Sequence, residues 1–187
     1  SEVGRQAIMA DRDWHNGAYH AHATTPRGGL AVARMAAHIT YLSEAALLRK
    51  FGRKLQDRDS ITFGFDADFQ VESYLRHQGS RFSTQFDANT YVLMTRALDL
   101  FDLTGSQDGG LAAVLSRAQA EFLVASFSSD WRFPPQRSIE IRDALMAAGK
   151  PVTYANIETD NGHDGFLLPN PSYEQLLKEW MRRVGPS

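Results

Sequence analysis

Between residues 28 and 103 the apolar positions recur at helical spacing, and only beyond residue 121 does the pattern change to short strand-like runs. A helix is expected from Gly28-Gly29 through Leu30 to Ser43, and a shorter one from Glu44 to Phe51, with Gly52 as its stop. Residues 53–67 read as an exposed loop. Asp68 is placed to open a helix over Phe69 to Gln78, closed by Gly79. Asp87 opens another, on which Tyr91, Met94, Leu98 and Phe101 form a stripe expected to face the core. A Gly-rich turn around Asp108-Gly109-Gly110 precedes a helix from Leu111 to Ala120. Phe122 to Phe127 is then an apolar run of strand formers, of the kind that lies in a sheet covered on both faces. Ile139, Ala144, Leu145 and Ala148 mark the next helix, stopped by Gly149, and Val152 to Glu158 is a second strand. Asn170-Pro171 starts the last helix, with Tyr173, Leu176, Leu177, Trp180 and Val184 on its buried face.

Helices in succession without a strand, followed by strand, helix, strand, helix, place the chain in the α/β class with a helical insertion, commonly a lid or an interface element. Three parts are expected: a loop-rich opening segment over 1–27, the helical insertion over 28–103, and an α/β core over 104–187. The opening segment holds His15, His20 and His22 within eight residues. That density invites a metal reading, but no helical i, i+4 His pair supports it, and a solvated loop is the default. No metal site is expected.

At 187 residues and 43% apolar, the chain can bury a respectable core. A net charge of −2 gives no support for binding nucleic acid or an anionic membrane surface. The absence of cysteine rules out a disulfide framework and thiol-ligated zinc, and fits a reducing, cytoplasmic setting. No run of 18 or more apolar residues is present, so no membrane span is expected. The opening residues, Ser1 to Gln6, carry neither an initiator Met nor a signal-peptide pattern, and they read like the interior of a longer chain.

The candidate chemistry lies where the strands end. Ser128-Ser129-Asp130 closes the first strand, and Pro134-Pro135 forbids further ladder pairing. A carboxylate at the carboxyl end of a buried strand sits where open α/β sheets put their chemistry. The second strand leads to Asn161-Gly162-His163-Asp164-Gly165. Asp, then strand, then His is the downstream part of a Ser…Asp…His chain order. Asp130 then suits the group that orients an imidazole, and His163 the base. The plainer alternatives are a turn cap for Asp130 and an ordinary loop histidine for His163. No G-x-S-x-G occurs, so the nucleophile is not among these residues. On the first long helix, Arg34, His38 and Tyr41 fall at i, i+4 and i+7. They read either as a satisfied surface cluster or as a pocket wall with a fixed cation.

Several runs carry a resemblance: GLAVARM from Gly29 to Met35, continuing to HITY at His38 to Tyr41; FQVESYLRHQG from Phe69 to Gly79; FDAN from Phe86 to Asn89; SSDW from Ser128 to Trp131; and GHDGFL from Gly162 to Leu167. In this order they resemble the homoserine O-acyltransferases of the α/β-hydrolase superfamily. The resemblance covers essentially the whole chain, but only the second half of such an enzyme. It implies the second half of an α/β-hydrolase fold, a parallel-rich sheet with a helical lid. It implies a Ser-Asp-His triad working by a ping-pong route, from an acyl-coenzyme A to the hydroxyl of L-homoserine, in methionine biosynthesis. Matching positions make Asp130 and His163 the triad members. They give Arg34 and Asp164 the carboxylate and amino group of homoserine, with Tyr41 near the same pocket. Arg34 and Asp164 are accordingly expected to line one cavity with His163. The first half of the family pattern, with the Ser elbow and oxyanion hole, is expected in cis or on a second chain, and this chain alone is expected to be inactive. The family also suggests a homodimer and no permanently bound cofactor.

Arg132 stands at a position resembling one tied in this family to the choice of acyl-coenzyme A. With Leu42 where many acetyl users have Arg, it favours succinyl-coenzyme A, with acetyl-coenzyme A as the alternative donor. An Arg whose head simply reaches solvent is the plain alternative. Two other readings remain beside the transferase: a hydrolase on the same fold, and a binding module without a nucleophile.

Overall fold

The computed structural model describes residues 1–105 and 108–185. Its helices, in chain order, are α1 (Glu2–Met9), α2 (Arg27–Tyr41), α3 (Glu44–Lys50), α4 (Gln70–Ser83), α5 (Ala88–Leu100), α6 (Gly110–Leu115), α7 (Pro135–Ala147) and α8 (Pro171–Val184). Strand β1 (Phe122–Phe127) precedes α7, and β2 (Val152–Ile157) follows it. The chain divides into two compact units: Ser1–Ile39 with Leu47–Phe101, and Thr40–Ala46 with Asp102–Ser187. The break near residue 102 lies beside the expected start of the α/β core. The short stretch 40–46 belongs with that core rather than with the helices around it in sequence.

In the helical unit the opening segment is not a solvated loop. It forms α1 and two short 3-10 turns, and Ile8, Trp14 and Tyr19 join Leu30, Ala33 and Ala88 in one apolar cluster. The helical pattern of α1 is short and was masked by the turn residues after it. Helices α1 and α2 pack backbone to backbone at Gly29, where a Cβ would come within 2.5 Å of the Ala7 carbonyl oxygen. Tyr19 ties the segment to α5: its hydroxyl donates to the Asp87 carboxylate and accepts from the Asn89 amide at 3.1 Å. Asp87 caps α5 as expected, accepting from the Thr90 amide. His15 and His22 stack ring on ring, with centroids 4.0 Å apart.

Three expectations in this unit fail. Asp68 does not cap α4; its carboxylate turns back into the preceding loop and takes hydrogen bonds from the Thr62 amide and hydroxyl and from Arg58. Glu72 instead covers the helix start, accepting from the Asp68 and Phe69 amides. Gly79 does not stop α4. It lies inside the helix, where a Cβ would sit 2.8 Å from the Ala31 carbonyl oxygen, so this glycine permits close packing. The α5 stripe is not core either: Tyr91 packs on the cluster, but Met94, Leu98 and Phe101 are 57%, 68% and 71% exposed.

In the α/β unit, β1 and β2 pair in parallel from Phe122↔Val152 to Phe127↔Ile157. Side chains alternate between faces. Val124 and Ser126 share one face with Tyr154 and Asn156, and Arg142 of α7 lays its guanidinium 5.1 Å from the Tyr154 ring centroid on that side. Phe127 and Thr153 face the other way, toward α8, where Tyr173 meets Phe127 edge-on at 5.1 Å and Arg183 donates to Thr153. Helices thus cover both faces, as a parallel pair requires. Burial is complete only toward the C-terminal end of β1, at Ser126 and Phe127; Phe122 to Ala125 are partly covered. Among the described residues β1 has no strand on its other side. The expected buried face of α8 is likewise only half covered, with no fully buried residue.

Candidate functional site

Asp130 lies three residues beyond the end of β1, and its amide returns to the Phe127 carbonyl at 3.0 Å. This tight turn points the side chain inward, where it is 6% exposed. One carboxylate oxygen, Oδ1, accepts from the backbone amides of Arg132 and Phe133, both at 2.9 Å. The other, Oδ2, accepts from Nδ1 of His163 at 2.8 Å. Asp130 is therefore both the turn cap and the partner of the imidazole, one function for each oxygen.

His163 sits on the 3-10 turn Gly162–Leu167 that follows β2. Its ring is hemmed by Tyr41, Phe133 and Phe166, with centroid separations of 5.7, 5.2 and 5.4 Å. Because an ionised carboxylate only accepts, Nδ1 carries the proton, and in the neutral imidazole the lone pair is then on Nε2. That is the tautomer a general base needs. Beside the imidazole lies a cavity of about 290 Å³, bordered by Asp130, Phe133, His163 and Phe166. Strand β1 lines it with Ala125, Ser126 and Phe127, from both of its faces, while β2 contributes no lining residue.

The loop carrying His163 is stitched to the loop carrying Asp130 by side chains. The Ser128 hydroxyl accepts from the Thr159 amide at 3.0 Å and donates to its carbonyl at 3.1 Å. The Ser129 hydroxyl accepts from the Gly162 amide at 2.9 Å. From the opposite side the segment after α2 closes in: Ser43 donates to the Asp160 carbonyl, and Trp131 donates to the Leu42 carbonyl at 3.1 Å. None of these serines was singled out for this role from sequence. The run of hydroxyls after a strand was the available signal, since such side chains can replace a backbone ladder that has ended.

Arg132 follows in the same unit. Its guanidinium donates to the Thr40 hydroxyl at 2.8 Å and lies 5.0 Å from the Tyr41 ring centroid. Tyr41 thus contacts both Arg132 and His163. Asp164 follows His163 on the same turn but is not among the residues bordering the cavity. Arg34 belongs to the helical unit, where it borders a hollow with Gln78, Arg81, Phe82 and Gln85. His38 is buried and its Nδ1 lies 3.2 Å from the Tyr74 hydroxyl, which makes it a packing histidine. Among the described residues no group of three or more His, Asp or Glu side chains converges as a metal site would, and no helix is long and apolar enough to cross a membrane.

A parallel strand pair with helices on both faces, ending in Asp and His on consecutive strands, is α/β-hydrolase architecture. Solved structures agree on the fold. An esterase, E22, superposes with a TM-score of 0.78 at 21% identity, over 96% of this chain and 49% of that one. Homoserine O-acetyltransferase from Bacillus anthracis gives 0.72 at 23% identity, over 87% of this chain and 43% of the other. In sequence, the chain belongs to the homoserine O-acyltransferase family. It is 57% identical over 184 residues to a homoserine O-succinyltransferase of Litchfieldella anticariensis, covering 98% of this chain and 47% of that protein. It is 61% identical over 170 residues to a homoserine O-acetyltransferase of Mesorhizobium japonicum, covering 91% of this chain and 44% of that protein. The chain thus spans about half the length of the curated relatives it matches. No protein-family model matches it.

Proposed function

We propose that this chain is the acid–base half of a homoserine O-acyltransferase, and that a serine outside it completes the triad. The observation that carries the reading is the Asp130–His163 hydrogen bond of 2.8 Å at the ends of paired strands, in a chain 57–61% identical to homoserine acyltransferases. In the proposed route His163 Nε2 takes the proton of the serine hydroxyl as that oxygen attacks the thioester carbonyl of an acyl-coenzyme A. The thiolate of coenzyme A leaves with that proton. The imidazole then takes the proton of the homoserine hydroxyl, which attacks the acyl-serine, and returns it to the serine oxygen. Asp130 stabilises the imidazolium in both halves. For the acceptor we assign Arg34 to the carboxylate and Asp164 to the ammonium group of homoserine, one charge of each sign for a zwitterion, with Tyr41 beside them. Two copies are proposed to pair, with the exposed apolar side chains of α5 as the surface available for burial.

In the complete enzyme, mixing with acyl-coenzyme A in the absence of homoserine is expected to release one equivalent of coenzyme A as a burst. The variant His163→Ala is expected to lose the burst while its circular dichroism spectrum is unchanged. A burst of normal rate in that variant would overturn the reading.

For the donor we propose succinyl-coenzyme A, with Arg132 as the selecting group; the relatives' names divide between the two donors. A guanidinium next to Thr40 and Tyr41 can meet the terminal carboxylate that distinguishes succinyl from acetyl. A hydrogen bond to a charged group is worth about 1.5–3 kcal/mol, or roughly ten- to a hundred-fold in specificity. Arg132→Leu is accordingly expected to lower the ratio of kcat/KM for succinyl- over acetyl-coenzyme A by that factor. An unchanged ratio would leave Arg132 as a packing residue and acetyl transfer as the better reading.

A further inference from the structure

Strand pairing ends at Phe127↔Ile157, yet the two loops beyond it remain aligned. The Ser128 amide still reaches the Ile157 carbonyl at 2.9 Å. After that, three consecutive side chains take over from the backbone. Ser128 bonds both polar groups of the Thr159 backbone, Ser129 bonds the Gly162 amide at 2.9 Å, and Asp130 bonds the His163 ring at 2.8 Å. The second and third contacts are parallel, one residue apart on each loop. The Ser129–Gly162 contact therefore holds the Asn161–Gly162 peptide, one residue before the imidazole.

That peptide is held from its other side as well. Gly162 has φ +73°, and a Cβ on it would lie 2.4 Å from the Ser43 amide nitrogen and 2.8 Å from the Tyr41 carbonyl oxygen. Ser43 is buried; its hydroxyl accepts from the Ala46 amide at 3.0 Å and donates to the Asp160 carbonyl. The loop before His163 is thus gripped between a hydroxyl next to Asp130 and the turn that starts α3.

We propose that Ser129 is a positioning residue for His163, with Ser43 closing the grip from the opposite side; the kinetic consequence rests on the acyltransfer reading above. Asp130 holds the ring at Nδ1 and Tyr41, Phe133 and Phe166 flank it, but these contacts leave the ring free to shift with the backbone that carries it. The Ser129 hydroxyl removes that freedom by anchoring the backbone one residue before the ring. A displacement of about 1 Å at a reacting group can cost about a hundred-fold in rate, so the anchor bears on turnover rather than on substrate binding.

The test uses the complete enzyme with Ser129→Ala, Ser129→Thr and Ser128→Ala. Ser129→Ala is expected to lower kcat ten- to a hundred-fold, with KM for both substrates within about threefold. Ser129→Thr keeps the hydroxyl and is expected to recover most of the rate. Ser128→Ala weakens the same loop at Thr159 without touching Gly162, so it controls for general loosening. A structural reading is tested directly by the downfield proton resonance of the His163 Nδ1–H···Asp130 bond. Ser129→Ala should broaden or shift it, whereas Ser129→Thr and Ser128→Ala should leave it in place. The proposal is overturned if Ser129→Ala keeps kcat within twofold and the resonance unchanged. It is equally overturned if Ser128→Ala reproduces both effects, or if Ser129→Ala fails to fold while Ser129→Thr folds with the resonance lost. The resonance is read without substrate, so failure of the acyltransfer assignment would leave that arm intact and show up separately, as a His163→Ala enzyme that still turns over.

Discussion

The helical unit and the α/β unit hold themselves in order by different means. In the first, Ile8, Leu30, Ala33 and Ala88 are almost wholly buried in one apolar cluster, and backbones touch at Gly29 and Gly79. In the second, Phe127, Leu145 and Ile157 are buried, but much of the order around Asp130 comes from hydrogen bonds among Ser43, Ser128, Ser129 and the backbone after β2. The difference teaches that the proposed chemistry and the stability of the fold draw on different regions. Apolar packing is paid in kcal/mol of folding free energy, whereas a hydrogen-bonded loop can lose one contact with little change in stability and still misplace a reacting atom.

The largest effect that would sharpen this contrast is expected from Asp130→Asn. The carboxamide oxygen can still accept from the Arg132 and Phe133 amides, so the turn is kept. Its NH2 would face His163 Nδ1 and force the proton to Nε2, the wrong tautomer for a base. In the complete enzyme kcat should fall on the order of a thousand- to ten-thousand-fold, with the melting temperature within a few degrees of wild type. A large drop in melting temperature instead would mean that the carboxylate supports the fold, and the contrast would break.

Next comes Leu30→Ala in the helical unit, which removes a wholly buried side chain. A destabilisation of about 2–5 kcal/mol is expected in urea titration, with kcat of the molecules still folded little changed. A cost below about 1 kcal/mol would show that the cluster can collapse around the gap and is not what orders this unit.

A smaller effect, with a sign that depends on pH, is expected from Tyr19→Phe. Burial pushes the Asp87 carboxyl up, but hydrogen bonds from the Tyr19 hydroxyl and from Thr90 outweigh it and hold its pKa below the ordinary value. A carboxyl depressed in the folded state contributes stability above its unfolded pKa and loses it as pH falls through the folded one. Wild type should therefore exceed Tyr19→Phe in stability by about 1 kcal/mol near neutral pH, and the gap should narrow as pH drops below about 4. A gap that is constant from pH 7 to pH 3 would show that the tyrosine acts by packing alone.

The same regional contrast governs what was legible in the sequence. Strand β1 and helix α5 could be placed because their apolar periodicity and the Asp87 cap are local signals. Asp130 and His163 could be paired because strand ends in an α/β sheet converge and the chain order was informative. Asp68 and Gly79 misled because each also fits a commoner local rule; what each does depends on a partner distant in sequence or in the loop, Thr62 and Ala31 respectively. The exposed face of α5 could not be foreseen either, since periodicity shows that a stripe is apolar and not what covers it. The opening segment hid its core residues among turn signals, and only the packing of Tyr19 on Asp87 and Asn89 explains them.

Gly162 has an evolutionary consequence. Gly149 shares its handedness, with φ +66° against +73°, but a Cβ at 149 would meet nothing within 4 Å, while at 162 it would strike the Ser43 amide. Asparagine tolerates such backbone angles, so drift can exchange Gly149 at modest cost. At 162 every replacement carries the forbidden carbon, and the only escape is a simultaneous change in the backbone of Tyr41 to Ser43. Variation at the residue before the imidazole is therefore closed to single steps, and a lineage could open it only by remaking the end of α2 at the same time.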